Sequence, residues 1–226
     1  MTDEAKAARE VAKTTGKAVD AAREAGGFIA KYISGPLEQG VGIFEDRLKY
    51  ARWERQVRLM ERADAFLRDR GIPDPTRAVP LKVAIPLFQE ASLEDDDELQ
   101  DRWAHLLANA ADKDSGIDIH RSYIEILSQI SPIEARILDE IYAIPFDDAQ
   151  HRGIATDRLP DSARLIPEDR EQVGEPSDDV MLALGNLARL GCIRPMGTFG
   201  GGESFSHVNP TVLGREFVAA CSQTNA

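Results

Sequence analysis

The sequence predicts a mainly α-helical fold with a small β-hairpin near its C-terminal end. Apolar residues recur at spacings of three and four through much of the chain, which indicates amphipathic helices. One glycine-rich stretch, 197–202, separates two short runs typical of strands. The composition, with 29% charged and 6% aromatic residues, is typical of a helix-rich soluble protein. The 226 residues correspond to one large domain or two small ones.

The N-terminal segment, residues 1–71, is predicted to form a long helical hairpin or oligomerisation arm. Its second helix should run from Pro36 to about Arg70, because Gly71 and the prolines after it stop a helix. Apolar residues early in this helix alternate four and three apart, the spacing of a seam between packed helices. The residues predicted to form an oligomer or partner interface are Leu37, Val41, Phe44 and Leu48.

The central region, residues 72–130, is predicted to begin with a proline-rich linker and to hold three helices. The first should cover Leu81–Ala91 and the third about 119–130, each with an amphipathic pattern. Ser92 is expected to cap the second helix, which should run from Leu93 to about Ala111.

The C-terminal region, residues 131–226, is predicted to be a winged-helix-like α+β region. It starts with Ser131-Pro132-Ile133-Glu134, which contains both halves of a capping box. Residues 145–176 are polar and rich in proline, so we expect a long irregular insertion there. Ser177 should cap an amphipathic helix that Gly191 ends, and the β-hairpin and a short terminal helix follow. Helix, insertion, helix, hairpin and helix is the order found in a winged helix-turn-helix.

The charge balance excludes a protein whose whole surface binds nucleic acid. Lys and Arg total 27 against 39 Asp and Glu, a net charge of −12, whereas phosphate binding needs a basic face. Two cysteines, Cys192 and Cys221, fit a reducing compartment. The acidic start lacks the pattern of a signal peptide, and no apolar run reaches the length of a spanning helix. We therefore expect a cytoplasmic protein, with peripheral attachment to the inner membrane as the alternative.

No motif for catalysis, a cofactor or a metal is recognisable. The four histidines lack the paired spacing of zinc ligands. The acidic run Glu94–Glu98 is best interpreted as the start of a helix, where the helix dipole favours carboxylates. We therefore expect neither a metal nor a cofactor, and a protein that acts without catalysis.

Residues 26–48 allow two interpretations. Small glycines among large apolar residues permit tight packing of a helical hairpin, which is the favoured interpretation. The alternative is an amphipathic segment that binds anionic lipid and damages the membrane. The candidate membrane-contact residues are Phe28, Ile29, Tyr32 and Ile33.

The helix after Ser177 occupies the place of a DNA-reading helix but carries poor chemistry for that role. Asp178 and Asp179 at its start would face phosphates. The candidate nucleic-acid contacts are a local basic edge of Arg189, Arg194 and Arg215. A protein-interaction module is favoured, and a winged-helix regulator that binds nucleic acid is the alternative.

Several stretches of the chain are distinctive: Gly26–Gln39, Lys49–Gln56, Pro80–Lys82, Pro86-Leu87, Ala91–Ala104, Leu106–Ala110 and Leu127–Ala135. Together they resemble the abortive-infection alpha family, and the resemblance covers about residues 25 to 220. The resemblance implies a part in antiphage defence, by halting or killing the infected cell. It brings no catalytic residues, so the expected activity is self-assembly, as a homo-oligomer, and binding of a phage or host protein.

Overall fold

The computed structural model describes residues 50–167, 173–197 and 203–223. The first half of this part is helical. Its helices are α1 (Tyr50–Asp69), α2 (Leu81–Ala91), α3 (Asp97–Ala111) and α4 (Arg121–Leu127). Helix α2 has the predicted bounds, and α1 ends as predicted, at a turn where Gly71 adopts a φ of 78°.

The second half combines helices with a small sheet. Its elements are α5 (Pro132–Ala143), α6 (Phe146–Arg152), β1 (Ile154–Ala155), β2 (Arg164–Leu165), α7 (Asp178–Arg189), β3 (Ile193–Gly197), β4 (Glu203–Pro210) and α8 (Val212–Ala220). The sheet is antiparallel in the order β2-β1-β4-β3, with Ile154 opposite Val208. A bulge interrupts the β3–β4 ladder between Pro195 and Met196.

Helix α3 lies at the centre of the core. Ten of its residues are buried, and it packs against α1, α2, α5 and α8. Its buried face is wide because it has neighbouring helices on several sides. The largest fully buried side chains of the described part are Trp103, Phe88, Phe217, Met60, Leu67, Leu87, Leu106, Leu107, Ile124, Leu127 and Ile137.

The predicted start of α3 was wrong by four residues. Ser92 lies at the C-terminal end of α2, where its hydroxyl donates to the Gln89 carbonyl at 2.7 Å. The N-cap of α3 is Asp96, whose carboxylate accepts hydrogen bonds of 3.0 Å from the amides of Glu98 and Leu99. Both residues are good caps, and a carboxylate satisfies two amides of the first turn.

The acidic run also joins α3 to α1. Arg62 of α1 donates to the carboxylates of Asp97 and Asp101, each at 2.6 Å. Arg55 donates to the Leu93 carbonyl at 3.2 Å, and its guanidinium lies 4.0 Å from Asp95. These contacts give the run a structural role.

The capping box predicted at Ser131 and Glu134 is confirmed, and Ser177 occupies its predicted N-cap position without a side-chain capping hydrogen bond. Ser131 and Glu134 form the capping box of α5, and the Ser131 amide donates to Glu134 Oε2 at 2.6 Å. Ser177 is the N-cap residue of α7, and Gly191 follows its end with a φ of 76°.

The prediction of an irregular insertion over 145–176 was wrong. The described part of that range contains α6 and the strands β1 and β2. Ala149, Ile154 and Ala155 are fully buried, so the segment belongs to the core. Strands of two residues are too short to show an alternating pattern in the sequence, which is why the polar composition was misleading.

Most of the predicted N-terminal hairpin lies outside the described residues, including the interface residues Leu37 to Leu48 and the membrane candidates Phe28 to Ile33. Within the ranges described, we find no helix that combines the length and apolar character needed to cross a membrane.

Candidate interaction surface

Helix α7 exposes a leucine in its middle. Its buried face consists of Val180, Ala183, Leu184 and Leu187, which pack toward α5 and the β3–β4 pair. Leu182 lies on the opposite face with 78% of its surface exposed. In the described part of the chain no other large apolar side chain is as exposed; the next is Val212, at 55%.

Gly185, one turn further along α7, extends this apolar area. It is only partly exposed, and a Cβ atom placed there would lie 3.8 Å from Cζ of Phe205 on β4. Gly185 therefore presents bare backbone beside the half-buried Phe205 ring. Because Leu182 and Gly185 are three residues apart, they share one helix face.

The edge of this area is acidic. Asp178 and Asp179 lie in the first turn of α7, both exposed, and neither forms an ion pair with another described residue. The partial positive charge of the helix N-terminus stabilises carboxylates at these positions. We call Asp178, Asp179, Leu182, Gly185 and Phe205 the α7 surface.

The C-terminal half of α7 is held to the rest of the domain by polar contacts. Asn186 donates to Glu134 Oε1 at 2.6 Å and to the Gln129 carbonyl at 3.0 Å. Arg189 donates to Asn186 Oδ1 at 2.7 Å and to Gln129 Oε1 at 3.0 Å. Since Glu134 also caps α5, the position of α7 is fixed through the start of that helix.

The three arginines predicted as nucleic-acid contacts lie on three elements. Arg189 donates to the side-chain amides of Asn186 on α7 and of Gln129 in the loop between α4 and α5. Arg215 on α8 pairs with Glu216 at 2.7 Å and covers the Phe146 ring at 4.5 Å from its centroid. Arg194 is exposed on β3. No contact joins the three side chains within the described residues.

A second feature is a polar groove of about 440 Å³ between α3 and α5. Much of its charge is already paired, because Arg102 bonds to Asp139 and Asp101 to Arg62. The lining residues are Glu98, Asp101, Arg102, His105, Arg136, Asp139, Cys221, Ser222 and Gln223.

His105 and Cys221, two titratable residues that line this groove, do not form a pair in which the histidine activates the thiol as a nucleophile. His105 stacks on Phe66 with a centroid distance of 3.8 Å. Burial, with help from Arg70, lowers the pKa of His105 to about 4, so the imidazole is neutral at pH 7. Burial also raises the pKa of the Cys221 thiol to about 12. The same cause raises the pKa of Cys192 to about 12, so both cysteines stay protonated at neutral pH.

In the ranges that the structure covers, no three His, Cys, Asp or Glu side chains are grouped so as to hold a metal ion. The acidic run illustrates why: Asp96 caps α3, while Asp97 and Asp101 face Arg62.

Sequence analysis missed Leu182. The amphipathic pattern predicted after Ser177 concerns the buried face of this helix, whose residues are Val180, Ala183, Leu184 and Leu187. At 100° per residue, Leu182 points about 200° away from Val180, so an exposed leucine was predictable from helical spacing alone.

The described part is a compact helical domain with a small antiparallel sheet and an apolar, acid-edged surface on α7. The family model described as abortive infection alpha matches residues 54–221. The chain therefore belongs to the abortive infection alpha family, which confirms the resemblance seen in its sequence. No curated protein matches the chain, and no solved structure matches it.

Proposed function

We propose that this protein acts in abortive infection as a binding protein that uses the α7 surface to engage a phage or host protein. The observation that supports this most directly is the 78% exposure of Leu182. It lies in the middle of a helix that hydrogen bonds from Asn186 and Arg189 hold to the rest of the domain. Covering a leucine side chain contributes roughly 1.5–3 kcal/mol to an association. Because α7 is already held in place, little ordering would be required on binding.

The surroundings of α7 favour a winged-helix-like unit. Strand β1 precedes α7 and pairs with β4, which pairs with β3, and we take this part of the four-stranded sheet as support for such a unit. Helix α7 packs against the β3–β4 pair that follows it, as a recognition helix would in such a unit.

The charge of this helix supports a protein partner over nucleic acid. Asp178 and Asp179 would repel phosphates at the end of the helix that enters a DNA groove. Arg189 and Arg215 are exposed but bond to side chains of the chain itself, which leaves Arg194 as the arginine of the predicted basic edge without such a bond among the described residues. Binding to duplex DNA that strengthens steeply at low salt would favour the regulator instead.

Self-assembly through the N-terminal segment is the second part of the proposal, and it rests on the seam Leu37, Val41, Phe44 and Leu48. Light scattering of the full chain and of the variant Leu37→Asp/Phe44→Asp tests it. We expect an oligomer that the double variant dissociates. A wild-type monomer would contradict this part.

The membrane-effector alternative rests on the pattern of residues 26–48. Flotation with anionic liposomes separates it from self-assembly: recovery of the wild-type chain with the vesicles, lost in Phe28→Asp, would favour the membrane effector.

Photo-crosslinking tests the protein-binding role. Both native cysteines are buried, so Leu182→Cys adds an accessible thiol for a benzophenone label. Labelled full-length protein is irradiated in extracts of infected and uninfected cells, with Leu81→Cys as the matched control because Leu81 is exposed elsewhere, on α2. We expect a discrete protein adduct at position 182 that is absent at position 81. Equal adducts at both positions, or adducts to nucleic acid alone, would contradict the proposal.

A further inference from the structure

We infer that the segment bound by the α7 surface is basic, with an apolar side chain that covers Leu182 and Gly185. This inference rests on the proposed protein-binding function and adds the chemistry of the partner. It is based on the arrangement of side chains along α7, where the carboxylates of Asp178 and Asp179 lie next to the exposed Leu182.

The carboxylates and the leucine lie side by side. Asp178 and Asp179 precede Leu182 by four and three residues, so their side chains neighbour it on the helix surface. Glu175, also exposed, lies before the helix and accepts a hydrogen bond of 3.2 Å from Ser204 on β4. A ligand that covers Leu182 therefore brings its own flanking residues next to the carboxylates of Asp178 and Asp179.

Such a ligand needs positive charge beside its apolar anchor. An acidic segment would be placed against like charge, which costs binding energy, and a purely apolar one would bury carboxylates without a partner. Lysine or arginine one turn from the anchor would pair with Asp178 and Asp179 at the rim of the contact. The net charge of −12 for the whole chain also favours approach of a basic partner.

The C-terminal end of α7 determines the orientation of the bound segment. Arg189 lies seven residues beyond Leu182, about 10 Å along the helix, and remains charged while it bonds to amides. The basic part of the ligand must therefore lie toward the N-terminal end of α7, with its apolar anchor over Leu182 and Gly185.

Labelled peptides test this inference on the full-length protein. Three helical peptides of about 15 residues carry the same leucines on one face and differ only in the remaining positions, which are lysine, glutamate or glutamine. Fluorescence anisotropy measures the Kd of each. We expect the lysine peptide to bind at least about tenfold more tightly than the others and to weaken as salt is raised.

Variants locate the binding on the chain. We expect Leu182→Ser, which removes the apolar contact without adding a charge, to abolish binding of the lysine peptide, and Asp178→Asn/Asp179→Asn to weaken it about tenfold. The matched control is Asp147→Asn/Asp148→Asn, which neutralises an exposed acidic pair in the first turn of another helix, α6, and should leave the Kd unchanged.

The outcomes separate this inference from the proposed function. Equal binding of the three peptides, no binding of the lysine peptide, or an equal loss in both acidic double variants would overturn the inference. The role of Leu182 in engaging a protein would still stand if the crosslinked adduct at position 182 persisted. Loss of that adduct would overturn both.

Discussion

The hydroxyl of Tyr142 on α5 donates a hydrogen bond of 2.5 Å to the backbone carbonyl of Cys192, the residue before β3. The same hydroxyl accepts a hydrogen bond of 3.0 Å from the Thr211 amide at the start of α8. Tyr142 thus joins three segments that are distant in the sequence. It fixes the base of the β3–β4 pair against which α7 packs, so the position of the α7 surface depends on this contact.

Removing this hydroxyl should destabilise the domain. We expect Tyr142→Phe to lower the free energy of unfolding by about 1–3 kcal/mol, because the partly buried Thr211 amide loses its acceptor. Urea denaturation measures the change. Tyr123→Phe is the control, since the Tyr123 hydroxyl makes no hydrogen bond within the described residues. Equal losses of unfolding free energy in the two variants would show that the hydrogen bonds of the Tyr142 hydroxyl do not stabilise the domain.

Gly214 tests how closely α8 approaches this junction. A methyl group at Gly214 would overlap both the Tyr142 hydroxyl and the Cys192 carbonyl. Because one of these atoms belongs to the backbone, relief requires a shift of α8, and we expect Gly214→Ala to lower the free energy of unfolding by about 3 kcal/mol. Gly197→Ala, where a Cβ has no neighbour within 4 Å, should have little effect. A stable Gly214→Ala variant would contradict this packing.

Two neighbouring residues of the acidic run should differ in their effect on stability: Asp96 should stabilise α3, and Asp95 should not. Asp96→Ala removes the N-cap of α3 and should lower the free energy of unfolding by about 1 kcal/mol. Asp95→Ala should change it by less than about 0.5 kcal/mol, since the side chain is 82% exposed and lies 4.0 Å from Arg55. Thermal and urea denaturation of both variants check this. A larger loss from Asp95→Ala would assign the run a different role.

His105 should make stability fall in mild acid. Its pKa is about 4 in the folded chain, against about 6.5 when unfolded, so between these values the unfolded state binds more protons. The free energy of unfolding should therefore decrease as pH falls from 6.5 to 4, by on the order of 2 kcal/mol from this residue.

The variant His105→Phe isolates this effect, because a phenyl ring can keep the stack on Phe66 and does not titrate. The difference in unfolding free energy between wild type and variant should change over that pH range. If the difference in unfolding free energy between the two proteins stays constant from pH 6.5 to 4, His105 is not the source of the pH dependence.

The parts of the fold that follow from local chemistry were predictable. The capping box at Ser131 and Glu134, the cap at Ser177 and the stop at Gly191 each depend on neighbouring residues, and each was correctly placed. The start of α3 failed for a related reason: Ser92 and Asp96 are both suitable caps, and the choice depends on α1, whose Arg62 holds Asp97 in place.

The sheet and the candidate site depend on long-range contacts that a pattern does not reveal. Strand β1 has two residues, and its identity comes from pairing with β4 more than fifty residues later. The polar contacts that fix Asn186 and Arg189 reach back to Gln129 and Glu134 on another part of the chain. The exposure of Leu182, in contrast, follows from helical spacing and was overlooked.

A phage challenge tests the central claim that defence requires the α7 surface. Cells express equal amounts of the wild-type chain, Leu182→Asp or Val212→Asp, the last an exposed apolar residue on α8. They are infected at low and high dose with a phage that the wild-type chain restricts. We predict that wild type and Val212→Asp protect at low dose and that their cultures collapse at high dose, whereas Leu182→Asp restores plating to the level of cells without the protein. Protection by Leu182→Asp equal to that of wild type would contradict the claim.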